Sequence, residues 1–374
     1  MEFGWTPEQD ELYQRALTFA QERLGRTDGS FRERWRVAAD FGFLGLCVPP
    51  EHGGLGLDAL STARVVEALG KGCPDMGINF SIAAHLFAVV MPLLEHGSAE
   101  QRAQWLPKLC SGEWVGANAS SEADAGSDVY AMKARAVAIP EGYRLTGAKS
   151  FVSNGPEADL FLVYAVTNPS HGYLGMSAFA VERGTPGLTV GKPFVKSGLR
   201  SSPMSSLYLE DCVVPASARV GMEGQGAILF RSSMRWERAC LFAAYVGSTE
   251  RVLETSVEYA KTRKQFGKPI GAFQGVSHKI AEMKVRLESA RLLLYRACWC
   301  VAQGQDATLE IALAKVAITD AALQAGLDAV QIHGALGVLE ETGLERAISD
   351  ALPARIFSGS TEVQKNLIAS RLGL

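Results

Sequence analysis

Two side chains on one helical stretch suggest two different jobs. Between Ser233 and Gly267, Leu241, Ala244, Tyr245, Gly247, Leu253 and Val257 recur at steps near three and four, with no proline among them. That is the period of an α-helix. Near its start Glu237 stands between Trp236 and Arg238, with Cys240 following, in an otherwise apolar face. At its end lies the basic, aromatic run Arg263-Lys264-Gln265-Phe266-Gly267. A carboxylate at one end could move a proton, and an arginine at the other could hold an anion. Each also has an ordinary explanation. Glu is rarely buried and could pair with Arg235 or Arg238 at the surface. Arg263 could simply answer the helix dipole.

Three further stretches could touch a ligand. Ser120-Ser121-Glu122-Ala123-Asp124-Ala125-Gly126-Ser127-Asp128 offers hydroxyl and backbone donors on a loop. In Lys149-Ser150-Phe151-Val152-Ser153-Asn154-Gly155 an aromatic sits two residues from a hydroxyl, a pattern that can stack on a ring and hydrogen-bond it. Gln331-Ile332-His333-Gly334-Ala335-Leu336-Gly337 closes a long helix. On physics alone these are equally a turn, a half-buried strand and a glycine cap. No G-x-G-x-x-G follows a strand, which argues against a Rossmann site.

The elements that must carry these residues change texture twice. Residues 1–115 read as helical, starting at Thr6-Pro7-Glu8 and broken at 45–57 by a Pro/Gly-rich run. Residues 116–224 carry short β-type runs with no helix between them, arguing for an antiparallel β domain. From 225 to 374 long Ala/Leu-rich helices return, as in a bundle, and a terminal helix begins near Thr361.

Of 374 residues, 47% are hydrophobic and 21% charged, enough for a large core in two or three domains. A net charge of −3 implies no nucleic-acid partner. The N-terminus reads as neither a signal nor a transit peptide, and no eighteen-residue apolar stretch is evident, so no membrane association is expected. Seven cysteines without a C-x-x-C pair suggest reduced, buried thiols in a cytoplasmic protein. Six histidines show no metal-ligand spacing, so no metal is expected.

Taken together and in this order, the stretches resemble the acyl-CoA dehydrogenase family across nearly the whole chain. The front signature is matched from Ala119 to Asp128, with Ser120 departing from an aliphatic position. The rear one is matched from Gln331 through Gly334 and Gly337 to Glu341, Arg346 and Asp350, with Ala335 replacing a second glycine. Arg263 to Gln274 is the third match. The resemblance implies an α+β protein with an N-terminal helical domain, a middle antiparallel β domain and a C-terminal four-helix bundle. It also implies FAD, held in extended form between the β domain and the bundle. Ser121 and Ser127 match the front-loop flavin contacts. Phe151 and Ser153 match the strand beside the isoalloxazine. Arg263, Phe266, Gln274, Gln331, Gly334, Ser360 and Glu362 match contacts to the rest of the cofactor. Glu237 and Arg263 lie about 39 Å apart along one helix, too far for one flavin to touch both. The expected assembly is therefore a dimer or more, and in the family a homotetramer.

Many members of that family place a catalytic Glu in a Tyr-Glu-Gly-Thr turn. Here the turn is Phe357-Ser358-Gly359-Ser360, and Ser358 has no useful basicity. A minority, including isovaleryl-CoA dehydrogenases, place the base where Glu237 stands. The loss at one position is matched by a carboxylate at the other. The resemblance thus implies α,β-dehydrogenation of an acyl thioester, with Glu237 as base and Arg238 and Trp236 beside it. Backbone N–H near Ser358 and Gly359 would receive the substrate carbonyl. Stretches such as Thr167–Gly175 and Arg355–Gly359 look most like the dehydrogenases that act on carrier-protein thioesters, above all L-prolyl-carrier-protein dehydrogenases. The alternatives are a short branched-chain, isovaleryl-type acyl-CoA dehydrogenase and a flavin monooxygenase or oxidase on the same fold. The electron acceptor, an electron-transfer flavoprotein or oxygen, stays open.

Overall fold

The computed structural model describes residues 4–374, so the first three residues of the polar N-terminus lie outside it. Helices α1 (Pro7–Glu22), α2 (Phe31–Phe41), α3 (Ala59–Gly72), α4 (Met76–His85), α5 (Met91–His96) and α6 (Ala99–Cys110) come first. Local signals start them. Thr6 and Gln9 make a capping box on α1, with Pro7 in its first turn. Ser30 with Glu33 and Ser98 with Gln101 repeat the device on α2 and α6. Between α4 and α5, Leu86–Val90 widens into a π-helical turn. The combined run Met76–His96 is long and apolar enough to cross a membrane, which corrects the expectation that no such stretch exists. Its most apolar window is 89% buried inside the fold, as befits a core helix.

The middle of the chain forms one eight-stranded sheet: β1 (Gly116–Ala119), β2 (Arg135–Ile139), β3 (Gly142–Ser153), β4 (Leu160–Val166), β5 (Met176–Glu182), β6 (Leu188–Val190), β7 (Met204–Val214) and β8 (Arg219–Val220). The order is β6-β7-β3-β2-β4-β5-β8, with β1 on β4. The sheet is mixed, not wholly antiparallel, because β4 pairs parallel with both β1 and β2. Strand β4 tolerates this because both its faces are covered. Leu160, Leu162 and Tyr164 pack towards the helices, while Phe161, Val163 and Ala165 fill the core on the other face. At Thr146 the β3–β7 register shifts, because two residues of β7, Glu210 and Asp211, stand opposite it. A Cβ at Gly147 would lie 2.7 Å from that of Ala134.

The remainder is a helical bundle: α7 (Gly226–Trp236), α8 (Ala243–Thr262), α9 (Gln274–Ala302), α10 (Thr308–His333), α11 (Leu344–Ala354) and α12 (Thr361–Arg371). A short hairpin, β9 (Lys264–Gln265) with β10 (Lys268–Pro269), separates α8 from α9. Between α7 and α8, Glu237–Leu241 is a second π-helical turn, so the long helix read from the sequence is continuous but widened at the carboxylate. Such turns recur at functional sites. One core joins the N-terminal helices, the bundle and one sheet face. All seven cysteines are buried in the fold and unpaired.

Candidate active site

Glu237 is buried, 7% exposed. The Ser358 hydroxyl donates to its Oε1. Burial pushes the carboxyl above the ordinary range, opposed by that hydrogen bond and by the charges of Arg238 and Lys315. A carboxylate raised in this way is suited to proton transfer near neutral pH. The surface-pairing explanation of Glu237 does not apply. Arg238 Nε instead donates to the Ser358 carbonyl at 2.6 Å, so the arginine grips the Phe357–Ser360 turn rather than the carboxylate.

That turn is unusual backbone. Ser358 has φ 55° and Gly359 φ 85°. At Gly359 a Cβ would meet Arg238 Nη2 and Gln364 Nε2, each at 2.9 Å, so only glycine fits. Lys315, buried on α10, donates to the Phe357 carbonyl at 2.8 Å and also to that of Gly359. Gln364 Nε2 reaches the Gly359 carbonyl at 3.1 Å. The Phe357 ring stacks on Phe242 with centroids 5.5 Å apart and meets Phe80 at 4.7 Å. Ser360 then caps α12, accepting from Val363 N at 3.4 Å, and Glu362 is exposed in its first turn. A cavity of about 190 Å³ opens beside Arg238 and Gln364, with Met234, Arg235 and Asp306 in its wall.

Two expected neighbours face elsewhere. Successive residues turn about 100° round a helix, so adjacency in sequence does not place Trp236 at the carboxylate. Its indole donates to Glu95 Oε1 at 2.7 Å, where Arg235 also binds. The Cys240 thiol points at the Ala59 carbonyl, 3.6 Å away. Water exclusion falls instead to Phe357, Phe242, Phe80 and the fully buried Tyr164.

The front loop with Ser121 and Ser127 is tied down from below. Lys149, fully buried, donates to Glu122 Oε1 at 2.8 Å and to the Ser120 carbonyl at 3.2 Å. Glu122 accepts the N–H groups of Lys133 and Ala134 at 2.6 and 2.9 Å. Ser121 is half-buried and Ser127 exposed. On β3 the register shifts again between Lys149 and Val152, and Phe151 takes φ 57°. Bulges of this kind re-aim side chains. The Phe151 ring is 62% exposed, with Phe194 at 6.0 Å and Ser153 half-buried two residues on. A large aromatic held open at a strained backbone position fits a planar ligand laid against it.

Arg263, Phe266, Gln274, Gln331 and Gly334 form a separate set at the far end of the bundle. The Tyr259 ring stacks on His333 with centroids 4.2 Å apart, which brings the ends of α8 and α10 together. All five residues are exposed. Phe266 is 92% exposed at the tip of the β9–β10 hairpin, with φ 50°.

Lys315 and Tyr164 were not among the residues singled out from the sequence. Lys315 carried a signal: Ile311 and Ile318, four residues before and three after, place it on the buried face of α10. Tyr164, inside an apolar strand, carried none.

The chain matches three family models: acyl-CoA dehydrogenase N-terminal domain over residues 6–113, middle domain over 117–212 and C-terminal domain over 224–373. It is 52% identical over 342 residues to an L-prolyl-[peptidyl-carrier protein] dehydrogenase of Pseudomonas fluorescens, covering 91% of this chain and 90% of that one. It is 47% identical over 382 residues to a Serratia sp. protein of the same description, covering 100% and 99%. Among solved structures, "PigA with FAD and proline" superposes with a TM-score of 0.96 at 47% identity, covering 100% of both chains. By domain order, sequence and three-dimensional structure alike, the chain belongs to the acyl-CoA dehydrogenase family.

Proposed function

We propose that this chain is an FAD-dependent dehydrogenase of a carrier-protein thioester, with L-prolyl-carrier protein as substrate, acting in natural-product biosynthesis. The observation that carries the reading is the buried Glu237 carboxylate with Ser358 hydrogen-bonded to it. The position where many members of the family carry the base holds Ser358, and a carboxylate from another helix faces it. The relatives' descriptions support the acyl group.

Glu237 takes the proton from the carbon α to the thioester carbonyl. The carbonyl oxygen gains charge as that proton leaves, and the N–H groups of Ser358 and Gly359 are the donors at hand. Phe357, Phe242 and Phe80 keep water from the carboxylate. FAD would lie against Phe151 and Ser153, with Ser121 and Ser127 on one side and Ser360 and Glu362 on the other. When bound, it supplies the hydride acceptor. Taking a prolyl to a pyrrolyl thioester removes four hydrogens, two in each of two oxidations. Arg263, Phe266, Gln274, Gln331 and Gly334 serve the FAD of a neighbouring copy in a cytoplasmic homotetramer.

The test is anaerobic bleaching of the purified protein's flavin by prolyl-carrier protein, a branched acyl-carrier protein and isovaleryl-CoA. Bleaching by the prolyl thioester alone is expected. Bleaching by isovaleryl-CoA alone would move the protein to the catabolic branched-chain reading.

A further inference from the structure

Three consecutive carbonyls, those of Phe357, Ser358 and Gly359, are all held from the bundle side. Lys315 takes the first and third, Arg238 the second, and Gln364 shares the third. Among the described residues, the N–H groups of Ser358 and Gly359 meet no acceptor. A peptide whose carbonyl is fixed in one direction presents the N–H of the next residue in the opposite one. The cation under the turn therefore fixes where the free donors point.

We propose that Lys315 is a positioning residue for the reaction. Its ammonium, working with Arg238, holds the left-handed Ser358-Gly359 backbone so that its two free N–H groups face the thioester carbonyl. It also keeps the Ser358 hydroxyl on Glu237. The inference rests on the thioester reading above and assigns Lys315 no contact with substrate.

Two features single out Lys315 from an ordinary buried lysine. It spends its donors on main-chain carbonyls rather than on a carboxylate partner. It is also one of the cations that oppose the burial of Glu237. The charged and titratable groups facing Glu237 are Arg238, Lys315 and Tyr164, and those facing Lys315 are Arg238, Glu237 and Glu362. Burial, reinforced by Arg238, lowers the ammonium to about 7.

Lys315→Met keeps the length and removes the charge. With whichever thioester bleaches the wild type, the bleaching rate should fall roughly 100-fold, the loss typical of an oxyanion donor out of place. Flavin content should stay near wild type, Tm should fall by a few degrees as the Phe357 and Gly359 carbonyls lose a donor, and substrate affinity should change much less than the rate. The acid limb of the rate profile should move to higher pH, because one cation facing Glu237 has gone. Lys315→Ala opens room for propylammonium, which replaces the missing atoms and should restore at least a tenth of the wild-type rate. A Lys315→Met rate within threefold of wild type would overturn the proposal. So would a loss that merely follows lost flavin or lost fold. Failure of both variants to fold, with or without the amine, would make Lys315 structural only. If none of the thioesters bleaches the wild-type flavin, the functional reading fails. If it bleaches and Lys315→Met bleaches as fast, this inference alone fails.

Discussion

At one end of the bundle Glu237 is 7% exposed and its surroundings are held by the same chain: Ser358 donates to the carboxylate, and Arg238, Lys315 and Gln364 donate to the carbonyls of the turn beside it. At the other end Arg263, Gln274 and Gln331 lie open, and Phe266 is 92% exposed on a hairpin tip. The first end is organised by its own packing. The second spends backbone strain to display an aromatic ring to solvent, a poor use of a phenylalanine in an isolated subunit. The contrast supports a division of labour in which each chain completes one base site and lends its other end to a neighbour's cofactor.

Changes at each end can break or sharpen this comparison. The largest effect should come from between the two ends, from Lys149→Met on β3, which removes the buried partner of Glu122 beneath the front loop. Breaking a buried pair by removing one member costs about 3–5 kcal/mol. Thermal unfolding should show a drop of several degrees or more. An unchanged Tm would mean that the loop is not held from within.

A smaller loss is expected from Arg263→Ala. Losing a charge-assisted hydrogen bond to a phosphate costs about 1.5–3 kcal/mol, so flavin should dissociate roughly tenfold to a hundredfold more readily. Mixing this variant with Glu237→Gln gives a sharper readout. If the two ends serve different active sites, mixed oligomers regain sites with an intact base and an intact arginine. Absence of any recovery after demonstrated subunit exchange would contradict the division of labour.

Ser358→Ala should have the mildest effect, about 1 kcal/mol. Its hydroxyl lowers the Glu237 carboxyl from the value burial alone would impose. Without it the carboxyl rises further, so less base is available at a given pH and the acid limb of the rate shifts upward. A downward shift would mean the hydroxyl does not donate to the carboxylate.

Much of this fold was legible in local signals. Thr6-Pro7 starts α1, Ala59–Gly72 follows the Pro/Gly-rich break, and Ser360 caps α12 next to Thr361. Helix α2, FRERWRVAADF, lies inside the stretch read as helical and is started by the Ser30–Glu33 capping box. The parallel partners of β4 could not be read, because strand pairing is set by contacts distant in sequence. The paired substitution of Ser358 and Glu237 was visible at the level of residue types, and so was the cation of Arg238. What Arg238 grips was not, since only folding brings residues 238 and 358 together. Trp236 misled because adjacent residues point to different sides of a helix.

The central claim is that Glu237 is the base for a carrier-bound thioester. Anaerobic flavin bleaching by prolyl-carrier protein, measured side by side in the wild type and in Glu237→Gln at equal flavin content, tests it most directly. General-base loss predicts a rate lower by roughly 10²–10⁴-fold in the variant, with substrate binding retained. Bleaching that proceeds undiminished in Glu237→Gln would place the base elsewhere and contradict the account.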